Sequence, residues 1–597
     1  MTFPFLPTNK TEMDLKGWDT VDVILISGDA YVDHPSFGTA LIGRYLESKG
    51  YKVGIIPQPD WTSDTDFQVM GKPNLFFGVS AGNMDSMIGN YNSEKHSRKQ
   101  DMYTENNLAG KRPDRAVIVY ANCVKKLYPD SMIVIGGIEA SLRRISHYDY
   151  WSNKIRRSIL IDSRADILVY GMGEKAIDRI ASRLRNQASL DQIPNTVILS
   201  NHLPQEKYIL LPSHEDVISS KIHFLKSFNL IHEEACIKNP SIIVQEINKK
   251  FLTIYPPDNL TTEELDSLFT LPFTRKAHPQ YIGEIPAYSF VKHSVLSHRG
   301  CYGGCSFCTL NLQQGKFIVS RSEKSILNEI QNVLCKMDDF KGTILDIGGP
   351  SANMYGSTCS KLEGCKRASC IHPSICNHLK VDQLKHLSLL QKTAKTSGVN
   401  HVFVNSGIRY DLALSCEKYI ESIVSNHIGG QMSIAPEHTS DKVLKLMNKP
   451  SFSIYEKFIS AFNSANKKAG KKQFVVPYFI AAHPGSTIKD MYHVALYLRK
   501  NHMKIEQVQN FIPIPMTLSS AMYYTGLDPK TLQSVYIPKG EERNFQRALL
   551  QPTIKRNLPL VKKALQKIDK LNDLSYFLTT THTRENTFKT KRINKRG

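Results

Sequence analysis

Along the first third of the chain, apolar residues gather in short continuous runs at 21–27, 75–80, 116–121, 132–137 and 167–171. Each run is rich in β-branched side chains and ends in Gly, Ser or Ala. Between runs the pattern changes to a helical period, as in TALIGRYLESK at 39–49. Continuous apolar strands separated by amphipathic helices predict a parallel sheet covered on both faces. The reading is an open, Rossmann-like α/β domain over residues 10–205. Ligands of such sheets sit beyond the C-terminal strand ends. The polar ends Gly28-Asp29-Ala30, Gly136-Gly137-Ile138-Glu139 and Gly171-Met172-Gly173-Glu174 are expected to line that edge.

Residues 206–285 are less periodic, with Pro212, Pro256-Pro257, Pro272, Pro279 and the acidic turn Thr261-Thr262-Glu263-Glu264, and read as a connecting subdomain. Strand–helix alternation resumes at 287 and defines a second unit over 287–555. Residues 556–597 read as a helix and a basic tail, TTTHTRENTFKTKRINKRG, with little to bury. No internal repeat appears.

The 597 residues carry 41% hydrophobic and 22% charged side chains, which excludes disordered, collagenous and coiled-coil chains. No run of about 18 apolar residues predicts a spanning helix. The N-terminus shows no basic segment followed by an apolar one, so the expected compartment is the cytoplasm, without membrane association. The net charge of +21 suits a nucleic-acid partner such as RNA, and equally a generally basic surface.

The eleven cysteines are unevenly placed, and in a reducing compartment clustered thiols point to metal rather than disulfides. Cys301, Cys305 and Cys308 form C-x3-C-x2-C after an expected strand at 289–296. Three thiolates on one loop suit three corners of a [4Fe–4S] cube, leaving one iron open for a small-molecule ligand, whereas a closed cluster takes four cysteines. Gly303 and Gly304 let the loop wrap tightly. Zinc is the rival, although zinc motifs usually pair cysteines as C-x2–4-C twice. A second group, Cys359, Cys365, Cys370 and Cys376, is a candidate closed site for an auxiliary [4Fe–4S] cluster. Zinc and unmetallated thiols remain its alternatives.

With Phe307 before the third cysteine, the motif resembles the radical S-adenosylmethionine (SAM) signature C-x3-C-x-aromatic-C. More closely, the chain resembles the UPF0313 (YgiQ) family over most of its length, including IGGIEASLRRISHYDYW at 135–151. The resemblance implies a partial (β/α)6 radical SAM barrel after the N-terminal domain. It also implies SAM bound through its amino and carboxylate groups on the open iron, and reductive cleavage to methionine and a 5′-deoxyadenosyl radical. A one-electron donor such as flavodoxin or ferredoxin and an unidentified substrate complete that picture.

The resemblance further marks residues in the barrel half. Gly348 and Gly349, closing TILDIGGP at 343–350, stand where relatives carry the glycine-rich motif for the SAM amine, with Pro350 in place of its usual Glu. Arg409, after the expected strand 402–406, is a candidate partner for the SAM carboxylate. Glu437 ends QMSIAPE and is a candidate SAM contact, with Ser440 or Asp441 capping the next helix. His483, in HPGST after the strand 474–481, reads as a turn histidine ahead of an acid–base group. The N-terminal domain resembles cobalamin-binding domains, yet Asp33-His34-Pro35-Ser36-Phe37-Gly38 misses D-x-H-x-x-G, with proline where the histidine belongs. Three functions follow: a radical SAM enzyme, a cobalamin-dependent radical SAM methyltransferase, and a non-catalytic iron–sulfur RNA-binding protein.

Overall fold

The computed structural model describes residues 3–361, 364–503, 505 and 508–578. The predicted basic tail lies outside the described residues. Among those described, no helix is long and apolar enough to cross a membrane.

The first half is built on one nine-stranded sheet. Its strands are β1 (Val23–Ser27), β2 (Val53–Pro57), β3 (Phe76–Ser80), β4 (Ile133–Gly136), β5 (Ile167–Val169), β6 (Thr196–Ser200), β7 (Tyr208–Leu211), β8 (Ile242–Ile247) and β9 (Lys250–Ile254), in the order β2-β1-β3-β4-β5-β6-β9-β8-β7. The first five are parallel, with β1 registered over five residues to β2 and to β3. Every residue of β1 (VILIS) is buried, as a strand covered on both faces requires. Helices α1 (Gly38–Ser48) and α2 (Ala116–Leu127) are among its covers.

Two expectations change here. The run 116–121 is helix, not strand. Ala116, Val117, Tyr120, Ala121 and Val124 are buried along one face, a 3.6-residue period that a six-residue apolar window hides. The sheet also runs on past residue 205. Strands β7, β8 and β9, drawn from the segment read as a connecting subdomain, extend it through antiparallel pairings of β6 with β5 and with β9. Edge strands are half-exposed and lack the continuous apolar run of central ones. The acidic turn Thr261–Glu264 is a capping box that starts a short helix. Beyond it the chain returns to the first domain, where Asp33 accepts from the Thr274 N–H at 2.8 Å.

The barrel of the second half is built from six strands, in chain order β10 (Ser294–Leu296), β11 (Thr343–Ile344 and Asp346–Gly348), β12 (His401–Val402), β13 (Gln431–Glu437), β14 (Phe474–Ala481) and β15 (Gln509–Asn510), beside short antiparallel pairs outside it. All their ladders are parallel, β10-β11-β12 and then β13-β14-β15. A helix lies between each strand and the next, giving a partial (β/α)6 barrel. The expected strand 289–296 is reduced to β10, because Pro286, at a first-turn position that needs no N–H, starts helix α3 (Pro286–Val291) just before it. The two halves meet through a buried Arg299–Glu174 pair at 2.7 Å and the Gln313 amide, which donates to the Gly171 carbonyl at 2.8 Å.

Candidate metal and cofactor site

The three-cysteine loop leaves the C-terminal end of β10 and enters helix α4 (Leu310–Gln314). Gly300 and Gly304 have positive φ, and a Cβ at either would collide with a backbone carbonyl, of Phe317 and of Ala368. The loop is pinned from several sides. The Cys301 N–H donates to Gly315 O at 3.0 Å, the Ser306 N–H to Met447 O at 3.0 Å, and the Asn448 amide to Gly304 O at 3.0 Å. Gly303 sits between the first two thiols: its Cβ position lies 3.3 Å from Cys301 Sγ and 3.9 Å from Cys305 Sγ. Burial, and then the neighbouring thiols, push Cys301 up to about 11 and Cys308 to about 12. Holding three thiolates there needs a cation, and metal loading must release protons.

The residues singled out on the other strands converge on this loop. Arg409, after β12, aims Nη1 at Cys305 Sγ across 3.6 Å, while Nε and Nη2 hold Asp411 at 3.0 and 2.7 Å. Two of its donors are therefore already committed. Glu437 ends β13 with φ +71 at a bulge. It is buried beside Lys449 at 3.8 Å and its charge bears on Cys308. Burial raises its carboxyl, with Lys449 and Arg409 opposing. Phe307 packs against Val443, Leu444, Met447 and Phe511 and meets His483 edge-on.

Gly348 and Gly349 are required by close approach: side chains there would strike Ser406 and His298. The Gly348 carbonyl is taken by the Ser297 N–H at 2.7 Å and hydroxyl at 3.0 Å. That hydroxyl in turn accepts from His298 Nδ1 at 2.9 Å, so Nε2, beside Gly349, is a buried acceptor with no partner. Burial lowers His298 to about 3, so the ring is neutral. His298, Asp411 and Lys449 were missed in the sequence because nothing local marks them; each acts through a neighbour supplied by another element.

His483 is fully used. Its Nδ1 donates to Pro484 O at 2.8 Å and its Nε2 accepts from Ser519 at 2.6 Å. His34 is buried with Nδ1 accepting from Ser36 N–H, and Asp33 pairs with Arg44 at 2.5 Å. Neither is free to act as a ligand. The polar strand ends of the first sheet are likewise consumed: Asp29 binds Arg112 at 2.8 Å, and Glu139 accepts from Ser86 N–H and Val117 N–H at 2.9 and 3.1 Å. Between these ends and α1 lies a glycine-rich, mainly apolar cavity touching Gly82, Gly137, Gly173 and Ile177. It meets a second space at Gly171, Met172 and Gln313. Arg144, buried and without a carboxylate partner, lies over the Tyr170 ring and lines that space. In the second cysteine group, the Cys376 N–H donates to Cys370 O at 2.7 Å and Cys359 pairs with Leu379.

Residues 5–294 match the family model described as radical SAM N-terminal, and 506–577 match a domain of unknown function. A UPF0313 protein of Methanocella arvoryzae is 46% identical over 576 residues, covering 95% of this chain and 96% of that protein. The UPF0313 protein YgiQ of Escherichia coli K12 is 41% identical over 95% of this chain and 86% of its own length. The chain belongs to the UPF0313 family. That membership and the N-terminal model put it among the radical SAM enzymes. A solved radical SAM methyltransferase, TsrM of Kitasatospora setae with cobalamin and a [4Fe–4S] cluster bound, is similar at 13% identity and a TM-score of 0.49, over 84% of this chain and 77% of that one.

Proposed function

We propose that this UPF0313 chain binds a [4Fe–4S] cluster on Cys301, Cys305 and Cys308 and uses it to cleave SAM reductively. The carrying observation is a glycine-tight loop that presents three thiols at the C-terminal mouth of a parallel barrel, faced by Arg409 and Glu437. When bound, the cluster supplies the electron that breaks the SAM carbon–sulfur bond. The protein's own residues orient and shield. Gly349 lets the backbone pack directly on His298, whose Nε2 has no partner among the described residues and suits the SAM amine. The third guanidinium nitrogen of Arg409 suits the carboxylate, and Phe307 with its apolar neighbours keeps water from that wall. The chamber under Arg144 is the candidate substrate space and favours an anionic group. A one-electron donor is required, and RNA is one substrate class that the +21 charge suits.

The test is anaerobic reconstitution, dithionite reduction with SAM, and chromatography for 5′-deoxyadenosine, with Cys305→Ala alongside. Product in the wild type alone supports the reading. No product from cluster-loaded wild type overturns it.

A second reading is cobalamin use, favoured by the glycine-rich cavity at the sheet edge. Its apolar walls suit a flat aromatic group, and no imidazole lines it. The bound cofactor would be read from the visible spectrum after incubation with hydroxocobalamin and gel filtration; a colourless protein counts against it.

A further inference from the structure

Thr358 pairs with Lys380 and Cys359 with Leu379 in an antiparallel bridge that brings the segments on either side of the second cysteine group together. The Ser360 N–H donates to His378 O at 2.9 Å, and the Cys376 N–H to Cys370 O at 2.7 Å. The Arg367 guanidinium ties the middle, donating to the carbonyls of Ser369, His372 and Ser374. These bonds place the backbones of Cys370 and Cys376 side by side, with Cys376 bordering Cys370 in one apolar cluster, and bring Leu379, the pairing partner of Cys359, onto Cys376 O at 2.9 Å.

A second observation points to what they hold. Lys316 is 5% exposed, and among the described residues no carboxylate lies within ion-pair reach of it. Its ammonium lies 3.4 Å from Cys365 Sγ and donates to Arg367 O at 2.6 Å. A buried ammonium is costly unless an anion faces it, and the anions within reach are thiolates. A four-thiolate metal centre carries the negative charge that this lysine is placed to offset.

We infer that Cys359, Cys365, Cys370 and Cys376 hold a second [4Fe–4S] cluster, closed by four protein thiolates and flanked by Lys316. The intervals of five, four and five residues contain no C-x2-C pair of the kind zinc sites use. Among the described residues, no three His, Cys, Asp or Glu side chains converge tightly enough for a single ion. With no open iron, the second cluster has no place for SAM. It shares a wall with the first site: Ser369 donates to Gly303 O at 2.7 Å, the Cys370 N–H to Tyr302 O at 3.0 Å, and Cys301 and Cys376 border one apolar cluster.

The inference goes beyond SAM cleavage and is read without it. Full-length chain with Cys301, Cys305 and Cys308 all replaced by alanine, reconstituted with iron and sulfide, should keep about four irons per chain. Its reduced EPR signal should not change on adding SAM. Adding Cys370→Ala and Cys376→Ala should take iron to background while circular dichroism stays that of the folded chain. Zinc in place of iron, or no metal in a folded triple variant, overturns the proposal. If the triple variant does not fold, the wild type decides. About eight irons and two reduced signals, one shifted by SAM, support the second cluster; about four irons and one SAM-responsive signal overturn it.

Discussion

Both halves of the molecule end their parallel strands in polar loops, yet they use those ends differently. At the edge of the first sheet most of the charges are closed on one another, Arg144 excepted. Asp29 and Asp101 hold Arg112, Asp33 holds Arg44, and Asp85 holds Arg143, all buried. At the barrel mouth burial and the neighbouring thiols push up Cys301 and Cys308, His298 Nε2 has no partner among the described residues, and Arg409 has one donor directed at Cys305. The ladders differ in step. β1 registers five residues with each neighbour, whereas β10, β11 and β12 register two or three. Paired charge makes a fixed scaffold; unpaired donors and acceptors make a site that a ligand completes. The comparison also separates apparent from real ligand edges, since Asp29 and Glu139 look available in the sequence and are internally satisfied.

Five experiments sharpen or break this contrast, from the largest effect down. Cys305→Ala should reduce 5′-deoxyadenosine to the no-enzyme background while leaving the far-ultraviolet circular dichroism and the melt of the folded chain unchanged; residual turnover would mean that the barrel mouth is not the site. Arg112→Ala strands Asp29 and Asp101 as buried unpaired charges and should cost about 3–5 kcal/mol in urea unfolding, with product per folded molecule unchanged. A drop in specific turnover instead would give the first sheet edge a direct chemical part. His298→Leu removes an acceptor for a charged donor, worth about 1.5–3 kcal/mol. It should therefore weaken SAM binding roughly ten- to a hundredfold without changing the iron content.

The fourth concerns pH. Burial lowers His298 and His483 to about 3, and His386 and His438 to about 4, in the barrel. In the first domain His147 and His232 are lowered to about 4, and burial takes His34 well below its ordinary value too. The unfolded chain binds these protons below about pH 6.5 and the folded chain does not. Each ring therefore withdraws up to about 1.4 kcal/mol of stability per pH unit as pH falls from there toward its folded value. Urea midpoints should drop between pH 7 and pH 5, with proton uptake on unfolding greater than one; a flat profile would contradict neutral burial. The smallest effect is at the seam. Glu174→Gln keeps a hydrogen bond to Arg299 but removes its counter-charge, for a loss of about 1 kcal/mol, read as a small shift in the melting midpoint.

The sequence by itself determined much of this protein. Runs such as VILIS read as strands covered on both faces, and the intervals of Cys301, Cys305 and Cys308 point to one metal-binding loop, because both signals are local. The strands 431–437 and 474–481 were placed by the family resemblance, and the structure has them at the same bounds. Only the tertiary structure decided what depends on partners far along the chain. It showed that the run 116–121 is helical, and that residues 208–254 complete the first sheet. It revealed that Asp29 and Glu139 are already bound, that His483 has both nitrogens occupied, and that Lys316 stands over Cys365 while Arg409 faces Cys305. Charge and hydrogen-bond satisfaction are settled by what is adjacent in space, and a residue's neighbours there are not written in its neighbours along the chain.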